Sequence, residues 1–289
     1  MGNVYTKSGA LAQKIYFGSV LIWEKLVGSE FIIEVDTTKA GTSNNDQFQF
    51  TGAEGDYDVI AKQNNIVVAT FNDLSGQQTI TLPSSGVYFL EVSAKEVNGF
   101  TGVKFNNSGD KLKLSKINQW GIFNESRTGL FFNCNNLTEI ASDNDWLNSI
   151  TDGTGNFVGC NLTSLPDTLT LANLVNGASM FNGCNISELP SGMVLNNLEN
   201  AELMFRFNSL SDLPSGLTFP NLTNGRLILQ GSTLNTVRYS QLLIDMEAGN
   251  INIDVLFHAG NSKYNTDGEI ARNLLITNQN WAFTDGGLE

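Results

Sequence analysis

The sequence predicts a mainly β protein whose central part is a repeat solenoid, because one phrase recurs every 24 residues. It reads Cys-Asn-Leu-Thr-Ser-Leu-Pro from Cys160, Cys-Asn-Ile-Ser-Glu-Leu-Pro from Cys184 and Asn-Ser-Leu-Ser-Asp-Leu-Pro from Asn208. Such self-similarity is typical of stacked units that bury their apolar faces only against one another. The apolar positions expected to point inward are Leu137, Leu162, Ile186, Leu210 and Leu234, and Ile140, Leu165, Leu189, Leu213 and Val237.

Residues 1–28 are predicted to form a small hairpin that serves as an attachment segment. Two β-prone runs, 14–17 and 20–23, flank a Gly-Ser pair that is suited to a two-residue turn. An isolated hairpin is marginally stable in water, so we expect it to dock on a larger partner. Its apolar faces consist of Ile15, Tyr16, Phe17, Val20, Leu21, Ile22 and Trp23.

Residues 29–98 are predicted to be a β-sandwich. Short runs of β-branched and aromatic residues, such as the alternating Gln-Phe-Gln-Phe at 47–50, are separated by turn-rich segments. This spacing of strands and turns is typical of small sandwiches.

The repeats occupy residues 99–237, and residues 238–289 are expected to cap them. Helices are predicted over 239–248 and 267–277, with strands over 255–258 and 281–284. Thr266 and Glu269 have the spacing of a helix capping box.

Composition limits the function classes. The chain has 29 acidic and 16 basic residues, a net charge of −13, which disfavours binding to nucleic acid. No apolar stretch is long enough to insert into a membrane, and no convincing export signal is found. Cys134, Cys160 and Cys184 share one phase of the repeat, so we expect reduced thiols in the core, although stacked neighbours leave a bridge sterically open.

A longer phrase opens with Met-Phe and reads Met-Phe-Asn-Gly-Cys-Asn-Ile-Ser-Glu-Leu-Pro at 180–190 and Met-Phe-Arg-Phe-Asn-Ser-Leu-Ser-Asp-Leu-Pro at 204–214, and residues 157–166 also fit it. This phrase resembles the BspA-like leucine-rich repeats of bacterial and protist surface proteins. It implies a leucine-rich-repeat solenoid with an α/β C-terminal cap. It also implies an immunoglobulin-like or PKD-like β-domain before the repeats, and residues 83–92 are similar to the last strand of such domains.

Two shorter resemblances concern tailed bacteriophages. Residues 14–23 are similar to openings of virion structural proteins, and residues 280–287 are similar to the ends of fibre and tail-associated proteins. They imply a non-enzymatic virion protein, of head or tail fibre or decoration type, that is held by other virion proteins through its N-terminus and adheres to a host surface protein or glycan. The alternatives are a bacterial cell-surface or secreted adhesin and a glycan depolymerase, and a homo-oligomer is left open.

No catalytic motif stands out. His258 is the single histidine, and no phosphate-binding loop or recognised nucleophile motif is present. The acidic pairs Asp56 with Asp58 and Asp143 with Asp145 lack the further oxygen ligands of a calcium loop. We therefore expect no enzyme activity, no metal and no cofactor.

A polar stripe lies between the two apolar positions of each repeat. In stacked repeats these residues would align along one face, either as a solvated exterior or as a ligand-facing ladder. The polar stripe consists of Thr138, Glu139, Thr163, Ser164, Ser187, Glu188, Ser211, Asp212 and Asn235.

Overall fold

The computed structural model describes residues 29–95 and 99–289, together with the backbone of three earlier strands. These strands are β1 (Val4–Tyr5), β2 (Leu11–Phe17) and β3 (Val20–Leu26), and they form an antiparallel sheet in that order. The pairing of β2 with β3 contains the two runs expected in the hairpin. The side chains of the proposed attachment residues lie outside the described part of the chain.

Two antiparallel sheets follow. Their strands are β4 (Phe31–Asp36), β5 (Gln47–Gln49), β6 (Asp56–Gln63), β7 (Ile66–Ser75), β8 (Thr79–Thr81), β9 (Val87–Ala94) and β10 (Leu114–Gln119). Five of them pair in the order β10-β4-β9-β6-β7, whereas β5 pairs only with β8. The mainly β character is confirmed, but the second sheet has only three residue pairs. Because β10 pairs with β4, the domain boundary expected at residue 98 does not separate them.

A buried ion pair fastens loop 41–49 to this sheet region. The side chains of Asp110 and Lys113 are fully buried, with 3.6 Å between Lys113 Nζ and Asp110 Oδ2. Backbone groups of the loop satisfy both charges, because the carboxylate accepts N–H bonds while the ammonium donates to carbonyls. The partners are Thr42, Ser43 and Gln49 for the carboxylate and Ser43, Asn44 and Gln47 for the ammonium.

The prediction of a leucine-rich-repeat solenoid over residues 99–237 is wrong. Within the described residues 120–235 no extended strand forms, and the one helix, α1 (Asp145–Ser149), has five residues. The parallel sheet that such repeats build is replaced by isolated bridges that join Asp152, Asn176, Asn200 and Asn224.

The physical reason is that the chain here forms consecutive turns. Asn156 N donates to Gly153 O at 3.1 Å, which closes a local turn, while Phe157 N donates to Met180 O at 2.9 Å. The backbone is left-handed at Gly155 and at Gly159, with φ of 65° and 67°, so it cannot be extended. Alternate N–H groups therefore close turns, and those between them reach the neighbouring copy. We call 153–160, 177–184, 201–208 and 225–232 the turn segments.

Phe131 and one phenylalanine from each of the first three turn segments stack ring on ring. The ring centroids of Phe131, Phe157, Phe181 and Phe205 lie 5.4, 5.5 and 5.8 Å apart in succession, with interplanar angles of 11°, 4° and 7°. All four residues are buried. The sequence period thus fixes which residues touch, although it does not produce strands.

Most of the predicted inward positions are buried, with two exceptions. Leu189 is only partly buried. Val237 is 75% exposed, because it lies in the first turn of a helix and not in a repeat. The buried positions are Leu137, Ile140, Leu162, Leu165, Ile186, Leu210, Leu213 and Leu234.

The C-terminal part contains two helices and two strands. They are α2 (Thr236–Gly249), β11 (Leu256–His258), α3 (Thr266–Gln279) and β12 (Ala282–Thr284). The predicted helices over 239–248 and 267–277 lie within α2 and α3. The capping box was placed one residue late, because Asn265 caps α3 by accepting from the N–H groups of Asp267 and Gly268. None of the helices in the described ranges has the length and apolarity needed to cross a membrane.

We predict that Leu213→Ala lowers the free energy of unfolding by about 2–5 kcal/mol, because Leu213 is 6% exposed and its loss leaves a cavity. The control is Val237→Ala, which should change stability by less than about 0.5 kcal/mol. Urea unfolding followed by circular dichroism measures both. Equal effects would show that the burial of Leu213 does not matter to the fold.

We also predict that Lys113→Met costs about 3–5 kcal/mol, because it leaves the carboxylate of Asp110 buried without its counter-ion. Lys39→Met removes a surface pair with Asp36, in which the lysine is 52% exposed, and should cost about 0–1 kcal/mol. Thermal melts of the two variants compare them. A Lys113 variant as stable as the Lys39 variant would contradict the role given to the buried pair.

Candidate binding surface

All nine residues of the polar stripe are exposed. Backbone hydrogen bonds keep several of them in register. Ser187 N donates to Thr163 O at 3.5 Å, and Asn235 N donates to Ser211 O at 2.9 Å. The structure therefore brings these stripe residues into neighbouring rows of one surface.

A groove of about 490 Å³ lies at the N-terminal end of the stripe. Thr138, Glu139, Thr163 and Ser164 contribute to its wall, and its apolar lining is Ile117, Ile140, Ala141, Leu165 and Pro166. The groove thus combines hydroxyl groups and a carboxylate with apolar side chains, a composition that can bind a polar ligand with C–H faces.

An ion pair borders this groove. Lys116 Nζ lies 3.1 Å from Glu139 Oε2, and the side chains are 37% and 65% exposed. The hydrogen bond and charge of Glu139 raise the pKa of Lys116. An ion pair this exposed contributes little to stability, so both groups are free to exchange partners with a ligand.

Two residues at the C-terminal end of the polar stripe also make hydrogen bonds that stabilise the fold. The side chain of Asn235 accepts from Arg238 N at 2.8 Å and caps α2. Asp212 Oδ1 accepts from Leu213 N at 2.8 Å. The cap accounts for Asn235 without any ligand, whereas Asp212 is an exposed residue that can still contact a ligand.

The repeat position occupied by Cys160 and Cys184, which we call the cysteine phase, contains hydrogen-bond donors and not merely small apolar side chains. Asn208 and Ser232 occupy the same position in the next two copies. Each of four buried residues at this phase donates to a carbonyl of a preceding copy. The bonds are Cys160 Sγ to Phe131 O at 3.2 Å, Cys184 Sγ to Phe157 O at 3.1 Å, Asn208 Nδ2 to Phe181 O at 2.8 Å and Ser232 Oγ to Asn208 O at 3.2 Å. Burial raises the pKa of the Cys184 thiol to about 12, so it is a poor nucleophile.

His258 belongs to a region whose polar groups bind one another. Its Nδ1 accepts from Gly260 N at 3.1 Å, and burial lowers its pKa. Nearby, Asp285 Oδ2 accepts from Tyr239 Oη at 2.9 Å and from Arg272 Nε at 2.8 Å. These bonds tie α2 and α3 to the residues after β12, which is a structural role.

The acidic pairs noted in the sequence are also used by the fold. The carboxylate of Asp143 accepts from the backbone N–H groups of Trp120 and Gly121, and Asp58 accepts from Asp73 N. Among the residues that the structure describes, no three His, Cys, Asp or Glu side chains converge as a metal site would require.

One exposed aromatic residue was missed by the sequence reasoning. Phe207 is 54% exposed, and the guanidinium carbon of Arg206 lies 3.9 Å from its ring centroid. The repeat itself distinguishes Phe207, because glycine occupies the equivalent position of the other copies, at 159, 183 and 231.

No protein-family model, curated protein or solved structure matches this chain. The phage and surface-protein resemblances therefore rest on short motifs and remain predictions.

We predict that the three cysteines are free and unreactive in the folded protein. Burial raises the pKa of each thiol, so iodoacetamide at pH 8 should label none of them before unfolding. After denaturation without reductant, mass spectrometry should find all three labelled. If only one were labelled, the other two would form a disulfide.

Proposed function

We propose that this chain is a non-enzymatic adhesion protein that binds saccharides on a host or environmental surface through the polar stripe. The observation that carries the proposal is the row of exposed hydroxyl, amide and carboxylate side chains that leads into the groove at Thr138 and Thr163. Extended binding along a repeated surface needs no deep cleft, since each repeat adds a few contacts.

The chemistry of the stripe favours hydroxyl-rich ligands. Serine and threonine hydroxyls both donate and accept, and the carboxylates of Glu139, Glu188 and Asp212 accept from sugar hydroxyls. The net charge of −13 opposes nucleic acids and anionic lipids. A saccharide or a polar host protein is therefore the better-matched partner.

The setting that we propose is a bacteriophage virion, in which the N-terminal segment attaches to other virion proteins. This rests on the motifs at 14–23 and 280–287 and on the apolar composition of the segment. A bacterial surface or secreted adhesin is the alternative, and it would use the same stripe. Neighbouring capsid or tail genes would favour the virion setting, and an export signal encoded upstream would favour the adhesin.

We predict that Glu188→Lys with Asp212→Lys weakens binding to host cells about tenfold or more, which corresponds to about 1.4 kcal/mol. The matched control is Glu199→Lys with Glu247→Lys, which changes the net charge equally, from −13 to −9, outside the stripe. Cell-binding assays with labelled protein compare both variants. A variant without residues 1–28 should bind as the full chain does, since the stripe lies elsewhere.

Equal loss in the two charge variants would show a general electrostatic effect and not a stripe. Undiminished binding by the Glu188 and Asp212 variant would refute the stripe as the contact surface.

A further inference from the structure

Phe207 occupies a backbone position at which the sister turn segments have glycine. Its φ is 55°, and Gly159, Gly183 and Gly231 at the same phase have φ of 67°, 69° and 99°. Left-handed backbone is unfavourable for a bulky L-residue, because Cβ crowds the following carbonyl oxygen. Glycine would adopt this conformation without strain. The presence of phenylalanine therefore requires an explanation.

Packing does not supply that reason. Leu203 and Leu227 also have left-handed φ, of 61° and 58°, but both side chains are partly buried. Phe207 is 54% exposed. A strained conformation kept by an exposed aromatic side chain is more typical of a functional site than of a core.

The ring is held in place before any ligand arrives. The guanidinium of Arg206 lies over it at 3.9 Å, a cation–π contact. Arg206 Nε also donates to Gln230 Oε1 at 2.6 Å, which fixes the guanidinium. Gly183 and Gly231 place no side chain beside the ring in the neighbouring segments. Gly231 lies directly beside the ring, because a Cβ there would be 3.5 Å from Phe207 Cδ1, and 54% of Phe207 stays exposed.

The surroundings distinguish the kinds of ligand. Phe207 is the one large hydrophobic residue exposed among the turn segments, all of which the structure describes. The nearby exposed side chains after each segment are polar, namely Asn185, Ser209 and Thr233. A protein interface would need a larger apolar centre, and the charge of the chain opposes nucleic acid. A sugar ring has one apolar C–H face and a rim of hydroxyls, which matches one aromatic face among amide and hydroxyl groups.

We propose that Phe207, held by Arg206, is an aromatic platform on which one pyranose ring of a saccharide stacks. This inference rests on the proposed saccharide binding but adds a contact site outside the polar stripe. The strained conformation of Phe207 is then retained because its ring contacts the saccharide, whereas glycine would fold equally well but offer no ring for stacking.

The test is Phe207→Gly, with Phe207→Trp as the conservative variant. Binding of chitotetraose, maltotetraose and tetragalacturonate is measured by calorimetry for both variants and for the wild type. The glycine variant should melt at or above the wild-type temperature, because glycine adopts this φ freely, yet bind at least about tenfold more weakly. The tryptophan variant should retain binding and show ligand-dependent fluorescence.

Several outcomes would overturn the platform. Undiminished binding by Phe207→Gly would do so, and so would a lowered melting temperature, since the ring would then be structural. If Phe207→Gly binds normally while the Glu188 and Asp212 variant does not, binding through the polar stripe is supported and stacking on Phe207 is refuted. If the wild type binds none of the three saccharides, both proposals fall.

Discussion

The hydrogen-bond register between turn segments is the constraint on which the rest of this structure depends. The first three segments send alternate N–H groups to carbonyls 23 residues further along, as Gly177 does to Asn200 and Ala201 does to Asn224. The fourth segment instead reaches the C-terminal part, through bonds from Gly225 N to Leu256 O and from Leu229 N to His258 O. That register stacks the phenylalanine rings. It also places the cysteine-phase side chains within hydrogen-bond distance of carbonyl oxygens in a preceding copy. It also aligns Asn176 and Asn200, whose side chains bond to each other at 3.1 Å. The buried side chains of Cys160, Cys184, Asn208 and Ser232 are satisfied by a preceding copy, whereas Nδ2 of the buried Asn156 has no partner.

The sheet region depends on a different device. Loop 41–49 has little apolar content, and the charges of Asp110 and Lys113 organise it by collecting its backbone groups. Gly41 leaves room for this, because a Cβ there would lie 2.3 Å from Asp110 Oδ1. Two buried charges are expensive unless every lone pair and proton is used, and here backbone groups from both ends of the loop use them. The β10 strand that follows Lys113 then joins the sheet beside β4.

The proposed function depends on the register of the turn segments. Turn segments leave the intervening stripe residues exposed while their backbones stay in register, so polar side chains are displayed at fixed spacing. The aromatic platform at Phe207 lies just before the row that contains Ser211 and Asp212. A saccharide chain that follows the stripe would need an apolar contact as well as hydrogen bonds, since hydroxyl contacts exposed to water contribute modestly on their own.

The sequence alone determined the 24-residue phase, most of the residues inside, the exposed character of the stripe and the two C-terminal helices. These follow from apolar periodicity and local helix signals, which are encoded within short windows. It could not decide between strands and turns in the repeats, because the same inward leucines serve either backbone. It wrongly predicted that Val237 is buried, because Val237 lies 24 residues after Leu213 although it belongs to the first turn of α2. The pairing of β10 with β4, the Asp110–Lys113 pair and the exposure of Phe207 needed the tertiary structure, because each depends on which distant segment lies alongside.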